Sequence, residues 1–252
     1  MEIIKLTKKK LDNYEVTLST GETFRTYEDI ILKYHLFEGK EIEANTYLEV
    51  LGETKDSKAY YQAIKYIGIR LRSEFELKKY LIKKEYNKEV IENTIELLKQ
   101  QGYINDEVFA KAYLNDKLNL TIDGPLKILR GLNEHQIDKT ISMLLIGNID
   151  PNIFIEKVKK IINKRVKNNT KYSKNMLQKK LINDLYNKGY ETNLYQYLIN
   201  DIDLDNTRAL KKDYDILVHK HHNLDSFNQK QTIKNKLLKK GYPLSDINQI
   251  IN

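Results

Sequence analysis

The sequence predicts a mainly α protein: tandem three-helix repeats stacked into an elongated curved rod, behind a small N-terminal α+β extension built on a β-hairpin. Three observations lead there. Glycine (10) and proline (3) are scarce in 252 residues, too few for the many tight turns of an all-β sandwich. From Lys58 onward apolar residues recur at helical spacing. A glycine-aromatic pattern also repeats along the chain at intervals near fifty residues, the mark of stacked supersecondary units.

The elements follow in order. Residues 2–8, 13–18 and 23–26 read as short strands, with Ser19-Thr20-Gly21 as the turn before the third. Two short helices follow, about 27–35 and 43–53, with Gly39 and Gly52 at their boundaries. Ser73-Glu74-Phe75-Glu76 fits a capping box, serine at the N-cap and glutamate three residues on. Leu77, Leu81 and Ile82 are read as one buried face. Asn87 caps the next helix, which carries Val90, Ile91, Ile95 and Leu98 and ends at Gly102. Asn105 or Asp106 starts a third, with Phe109, Ala110 and Tyr113 inside. Asp123-Gly124-Pro125 opens another, proline being harmless in a first turn.

Four origins define the repeat: Tyr86, Leu132, Tyr190 and Tyr242, at separations of 46, 58 and 52 residues. Each has an apolar residue four before, five after and nine after. Gly131, Gly189 and Gly241 precede three of them and are read as helix C-terminal corners. The second copy departs, with Asp123 nine before its origin where the others have Leu77, Leu181 and Ile233. The expected division is 1–54 for the extension, 55–104, 105–150 and 151–203 for three repeats, and 204–252 for a partial fourth.

Composition narrows the function. Cysteine is absent, which removes disulfides, thiolate metal sites and cysteine nucleophiles and suits a reducing cytoplasm. The N-terminus lacks the roughly 7–15-residue apolar core of a signal peptide, and no stretch approaches the ~18 apolar residues of a membrane span. A cytoplasmic monomer without membrane contact is expected. Net charge is +8, which favours a polyanionic partner, although lysine, asparagine, isoleucine and tyrosine all have AT-rich codons. Residues 1–54 hold 7 basic and 11 acidic side chains; residues 156–190 hold 11 and 2. The positive charge therefore sits in the second half.

Catalytic patterns are missing. The sequence contains no GxxxxGK[ST], no GxGxxG and no GxSxG. His219, His221 and His222 cluster, and His219 with His222 has the i, i+3 spacing of one helix face. A solvated polar face accounts for them better than a zinc site, which needs three or four ligands. Glu74 with Glu76, and Asp201 with Asp203, stand two apart and share no helix face. The expectation is a non-enzyme with no cofactor and no bound metal.

What remains is basic positions with aromatic neighbours. Lys65, Arg70 and Arg72, near Tyr66, continue into Lys78, Lys79 and Lys83; a second set is Lys111, Lys117, Lys127 and Arg130; a third is Lys157, Lys160, Lys164, Arg165 and Lys167. Such rows bind phosphates or acidic protein patches, or merely solubilise a thin helical stack.

Three motifs carry a resemblance. The first is Ala63, Tyr66, Arg70, Arg72, Ser73, Glu74, Glu76 and Leu77. The second is Gly102-Tyr103-Ile104-Asn105-Asp106 with Phe109, Ala110 and Tyr113, and the third Gly124, Pro125, Lys127, Ile128 and Leu132. In order and spacing they resemble the signature of the RecX family of regulatory proteins over residues 59–145, more loosely beyond. The resemblance implies tandem three-helix repeats and a modulator of the RecA recombinase. It implies binding to the RecA–DNA filament that limits growth, ATP hydrolysis and strand exchange, with single- or double-stranded DNA a second candidate partner. Two rival readings stand beside it: a general nucleic-acid-binding helical-repeat protein, and a metal-dependent enzyme using the histidines.

Overall fold

The computed structural model describes residues 1–9 and 13–251. These fall into two compact units, Met1–Lys111 with His135–Ile137, and Ala112–Glu134 with Asp138–Asn252. The described residues are mainly helical, with thirteen α-helices and one small antiparallel sheet.

In the first unit β1 (Ile3–Lys8), β2 (Asn13–Leu18) and β3 (Thr23–Tyr27) pair in that order. Gly21, at φ +84, turns β2 into β3, as the Ser-Thr-Gly signal predicts. Ile3, Val16, Leu18 and Phe24 bury one sheet face against Ile30, Ile31, Leu36, Ile42 and Val50. Ile30 and Ile31 come from the short α1 (Glu28–Lys33), and Val50 from α2 (Ala44–Ile67).

α2 departs from expectation. Gly52 does not end it; the helix runs 24 residues. A glycine costs a helix interior about 1 kcal/mol, and this helix offsets that by burying side chains on both sides of it. Val50 and Thr54 enter the sheet core, where the Thr54 and Thr26 hydroxyls bond at 2.7 Å. Ala59 and Ala63 enter a second core with Leu77 and Leu81 of α3 (Glu74–Lys83), and Val90, Ile91, Ile95 and Leu98 of α4 (Lys88–Gln100). Ser73 and Glu76 form the predicted capping box at α3, and Asn87 caps α4. α5 (Asp106–Leu120) follows, its first amides bonded to the Asn105 side chain.

The second unit contains α6 (Pro125–Glu134), α7 (Lys139–Gly147), α8 (Pro151–Lys167) and α9 (Lys174–Asn187). After a 3-10 turn at Thr192–Leu194 come α10 (Gln196–Asn200), α11 (Thr207–Lys220), α12 (Ser226–Lys239) and α13 (Leu244–Ile251). The last three enclose Leu210, Leu217, Ile233, Leu237, Tyr242 and Ile247.

The repeat is real, but its second copy is displaced by five residues. Gly131 is no corner: it lies inside α6, where an added Cβ would strike the Tyr113 hydroxyl. The left-handed residue is Gln136, at φ +55, followed by buried Ile137. Glu85 plays the same part before Tyr86 at φ +63, while Gly189 and Gly241 both stand at +81. The corners thus begin at Tyr86, Ile137, Tyr190 and Tyr242, at separations of 51, 53 and 52 residues. In this register Asp123 no longer departs. Nine and five before each corner stand Leu77 and Leu81, Ile128 and Leu132, Leu181 and Leu185, Ile233 and Leu237, each buried. The residues four before, Ile82, Tyr186 and Leu238, are exposed, since positions −9 and −5 share a helix face that −4 does not. The Tyr86, Tyr190 and Tyr242 amides each close back on the carbonyl five residues earlier, the bond of a Schellman C-cap.

Candidate interaction surface

The corners do more than turn the chain. In the second unit each receives the N-terminus of an earlier helix. Gly124 N donates to Lys188 O at 2.7 Å and Leu126 N to Gly189 O at 3.0 Å, while the Tyr190 hydroxyl donates to Ile122 O at 3.0 Å. The next joint repeats the scheme: the Ser173 hydroxyl donates to Lys240 O at 2.6 Å beside Gly241. In the first unit His135 lies against Phe109, with ring centroids 5.0 Å apart.

A second bond repeats too. The Asp106 carboxylate accepts from Glu74 N at 2.8 Å, and the Asn206 side chain accepts from Lys174 N at 2.8 Å. In both, the start of one helix caps the start of another. Desolvation raises the Asp106 pKa, against the lowering pull of the Glu74 amide. Sequence reading missed this pair, although the spacings from Ser73 to Asp106 and from Ser173 to Asn206 are equal.

The signature segment is an internal network before it is a surface. Arg70 grips Glu76 with both terminal nitrogens, at 2.6 and 3.2 Å. Arg72 lies 3.6 Å from Glu76, and its guanidinium covers the Tyr66 ring at 4.2 Å. Tyr66 in turn stacks on Tyr80 at 4.0 Å. The Arg72 side chain is only 13% exposed, that of Arg70 50%. Burial tends to raise the Glu76 pKa, but the Arg70 contacts and the Ser73 amide outweigh it, and the net shift is downward. Of this set Arg70, Lys65, Lys78, Lys79 and Lys83 face outward, beside the exposed apolar Ile69, Leu71 and Ile82.

The second set divides. Lys111 pairs with Glu107 along its own helix. Lys127 and Lys117 reach the largely buried Asp123, at 2.7 and 3.6 Å, which explains an acid at that place. Arg130 is exposed. The third set divides as well. Lys157 turns inward and donates to Thr121 O at 2.9 Å, satisfying the C-terminal end of α5; burial lowers its pKa. Lys160, Lys164 and Lys167 stay exposed along α8, and Arg165 contacts Asp184 at 3.3 Å.

The histidines form no ligand set. His222 Nδ1 meets its neighbour His219's carbonyl at 2.9 Å, and His221 Nε2 lies 2.6 Å from Lys236 Nζ. Among the described residues no group of three or more His, Asp or Glu is placed to hold a metal ion. No helix among them is long and apolar enough to cross a membrane.

Comparison with known proteins agrees with this geometry. Residues 59–98, from α2 into α4, match the family described as RecX, first three-helix domain. The chain is 28% identical over 249 residues to the regulatory protein RecX of Listeria monocytogenes serotype 4a, covering 97% of this chain and 93% of that one. It is 28% identical over 260 residues to that of Oceanobacillus iheyensis, covering 97% and 94%. In fold it is similar to a crystal structure of regulatory protein RecX, with a TM-score of 0.68 at 22% identity over 80% of this chain and 99% of the other. The crystal structure of RecX from Lactobacillus salivarius gives a TM-score of 0.54 at 24% identity, over 58% and 95%. With its signature folded as a capped, arginine-braced three-helix unit, the chain is similar almost end to end to regulatory proteins RecX.

Proposed function

We propose that this chain is a non-enzymatic modulator of the RecA recombinase, which binds the RecA–DNA filament and limits its growth, ATP hydrolysis and strand exchange. The observation that carries the reading is likeness to regulatory proteins RecX through 97% of the chain. The segment before α3 and the outer face of the helix support it: Ile69, Arg70 and Leu71 lie exposed ahead of the helix, and Ile82 lies exposed on it with Lys78, Lys79 and Lys83. Apolar anchors rimmed by charge suit a protein partner better than phosphate alone. The proposal includes a monomer working in the cytoplasm, with residues 55–104, 105–150, 151–203 and 204–252 acting as successive repeats.

A second reading, general nucleic-acid binding, draws on the exposed row Lys160, Lys164 and Lys167 of α8, spaced to share one helix face. A titration of RecA ATPase on single-stranded DNA separates the two. Under the first reading hydrolysis falls at or below one chain per recombinase, in salt at which this chain alone barely holds DNA. ATPase unchanged at saturating protein refutes it. Inhibition that tracks DNA affinity through a salt series, with log K falling by ~0.7 per phosphate contact per log unit of salt, favours the second.

A further inference from the structure

The chain is basic as a whole, yet one groove in the first unit is the reverse. It has a volume of about 450 Å³ and runs between α2 and α4. Asp29, Asp56, Tyr60, Thr94 and Leu97 line it, and no lysine, arginine or histidine stands among its described lining residues. We propose that this groove receives an arginine side chain presented by a protein partner, with the guanidinium on the two carboxylates and its aliphatic stem along Tyr60 and Leu97.

The groove calls for a cation that the chain does not supply. Asp56 is half-buried and pairs with no base among the described residues. Burial, and then the like charges of Glu89 and Glu53, raise its pKa, so an incoming cation relieves it. Asp29 gives one carboxylate oxygen to the Ser57 hydroxyl, at 2.8 Å, and has the other left to accept. Thr94 is 3% exposed, and its hydroxyl, without a partner among the described residues, opens on the groove. Tyr60 is held ready: its hydroxyl donates to Gln101 Oε1 at 2.8 Å, and its ring meets Tyr61 edge-on, with centroids 5.7 Å apart.

Several acceptors beside an aromatic ring suit a planar cation with many donors, a guanidinium, better than a compact ammonium. The same unit contains that arrangement complete: the Arg72 guanidinium covers Tyr66 at 4.2 Å and lies 3.6 Å from Glu76. In the groove the carboxylates and the tyrosine are present and the guanidinium comes from outside. A divalent ion takes six or more oxygens and has no use for the ring or Leu97. Both carboxylates adjoin Ser57, so a polyamine would leave its far ammonium groups without a counter-charge. A second copy would bring its own +8 against this one's.

The test is an NMR titration of the full chain with a capped Gly-Arg-Gly peptide. The Ser57, Thr94 and Leu97 amides should shift saturably, and the matching Gly-Lys-Gly peptide should bind several-fold more weakly. Asp56→Asn keeps the shape and removes the charge; it should weaken arginine-peptide binding about tenfold. Asp116→Asn, at an exposed place on α5, should change it less than about twofold. Absence of saturable shifts at these amides in the parent chain would overturn the proposal. So would a folded Asp56→Asn protein that binds as the parent does, or equal losses in the two variants. Lysine peptide, spermidine or magnesium chloride acting as well as the arginine peptide would show a site for any cation and overturn it too. Dimers that the peptide dissociates, seen by sedimentation, would put a second copy in the groove in place of a partner. No recombinase is present in these measurements, so their failure leaves the filament reading standing.

Discussion

Gly189 and Gly241 have the same φ of +81 and differ only in what faces them, which makes alanine at each a measurement of the joint. The left-handed backbone costs an L residue about 1–2 kcal/mol, and both variants bear it. At Gly241 the new Cβ would stand 3.1 Å from the Ser173 hydroxyl, a side-chain atom that gives by a few tenths of an ångström. At Gly189 it would stand 2.4 Å from the backbone nitrogen of Lys127, and two main chains must part by roughly 1 Å to reach ordinary contact. That parting strains the bonds from Gly124 N and Leu126 N, each worth about 1 kcal/mol net, and adds about 1–3 kcal/mol of overpacking. The expected losses are about 2 kcal/mol for Gly241→Ala and about 5 for Gly189→Ala. Urea unfolding of the full chain, followed by hydrogen exchange on second-unit peptides, reads the difference. The Gly124 and Leu126 amides should lose protection in Gly189→Ala alone. Equal stabilities within about 1 kcal/mol would refute the close approach of these backbones.

Other consequences are as direct. Asp106 has a raised pKa, so the stability linked to its protonation is fully present below the unfolded value near 4 and is lost as pH rises through the folded value, while the hydrogen bond from Glu74 N remains. Asp106→Asn keeps the acceptor for Glu74 N, as Asn206 does for Lys174 N, and should melt at or above the parent at pH 7, while Asp106→Ala should lose about 1 kcal/mol; equal destabilisation of both would contradict the capping role. The Ser142 hydroxyl is buried on α7 and meets no partner among the described residues, where other copies carry Ile91, Tyr195 and Ile247. Ser142→Ala should raise stability by roughly 1 kcal/mol, checked by the denaturation midpoint. Arg72→Ala should cost about 1–2 kcal/mol through the lost Tyr66 contact, and Arg70→Ala less than about 1 because its pair is half exposed. If melting curves reverse that order, Arg70 and not Arg72 braces the fold.

Local chemistry was legible from the residues. The strand bounds, the Gly21 turn, the Ser73–Glu76 capping box, the Asn87 cap and the Gly189 and Gly241 corners all follow from side chains acting on backbone within a few residues. The repeat was legible too, but its register was not. Glu85 and Gln136 adopt left-handed φ without being glycine, so the rule that found two corners placed the second copy at Gly131, five residues early. Leu81-Ile82, Leu185-Tyr186 and Leu237-Leu238 are adjacent apolar pairs; hydrophobicity alone does not say which member turns inward.

The candidate surface shows the same divide. The sequence grouped Arg70 with Arg72, and Lys157 with Lys160, by type and proximity. Only packing decided that Arg72 covers a tyrosine and that Lys157 closes a helix end, while their neighbours face solvent. It also carried α2 through Gly52, because burial on both flanks outweighs one glycine. The chain by itself determined its helices, their caps and its near-fifty-residue period, since those depend on neighbours along the backbone. Which face is inside, which charge is held within the fold and which is left facing solvent depend on residues distant in sequence, and tertiary structure alone settled them.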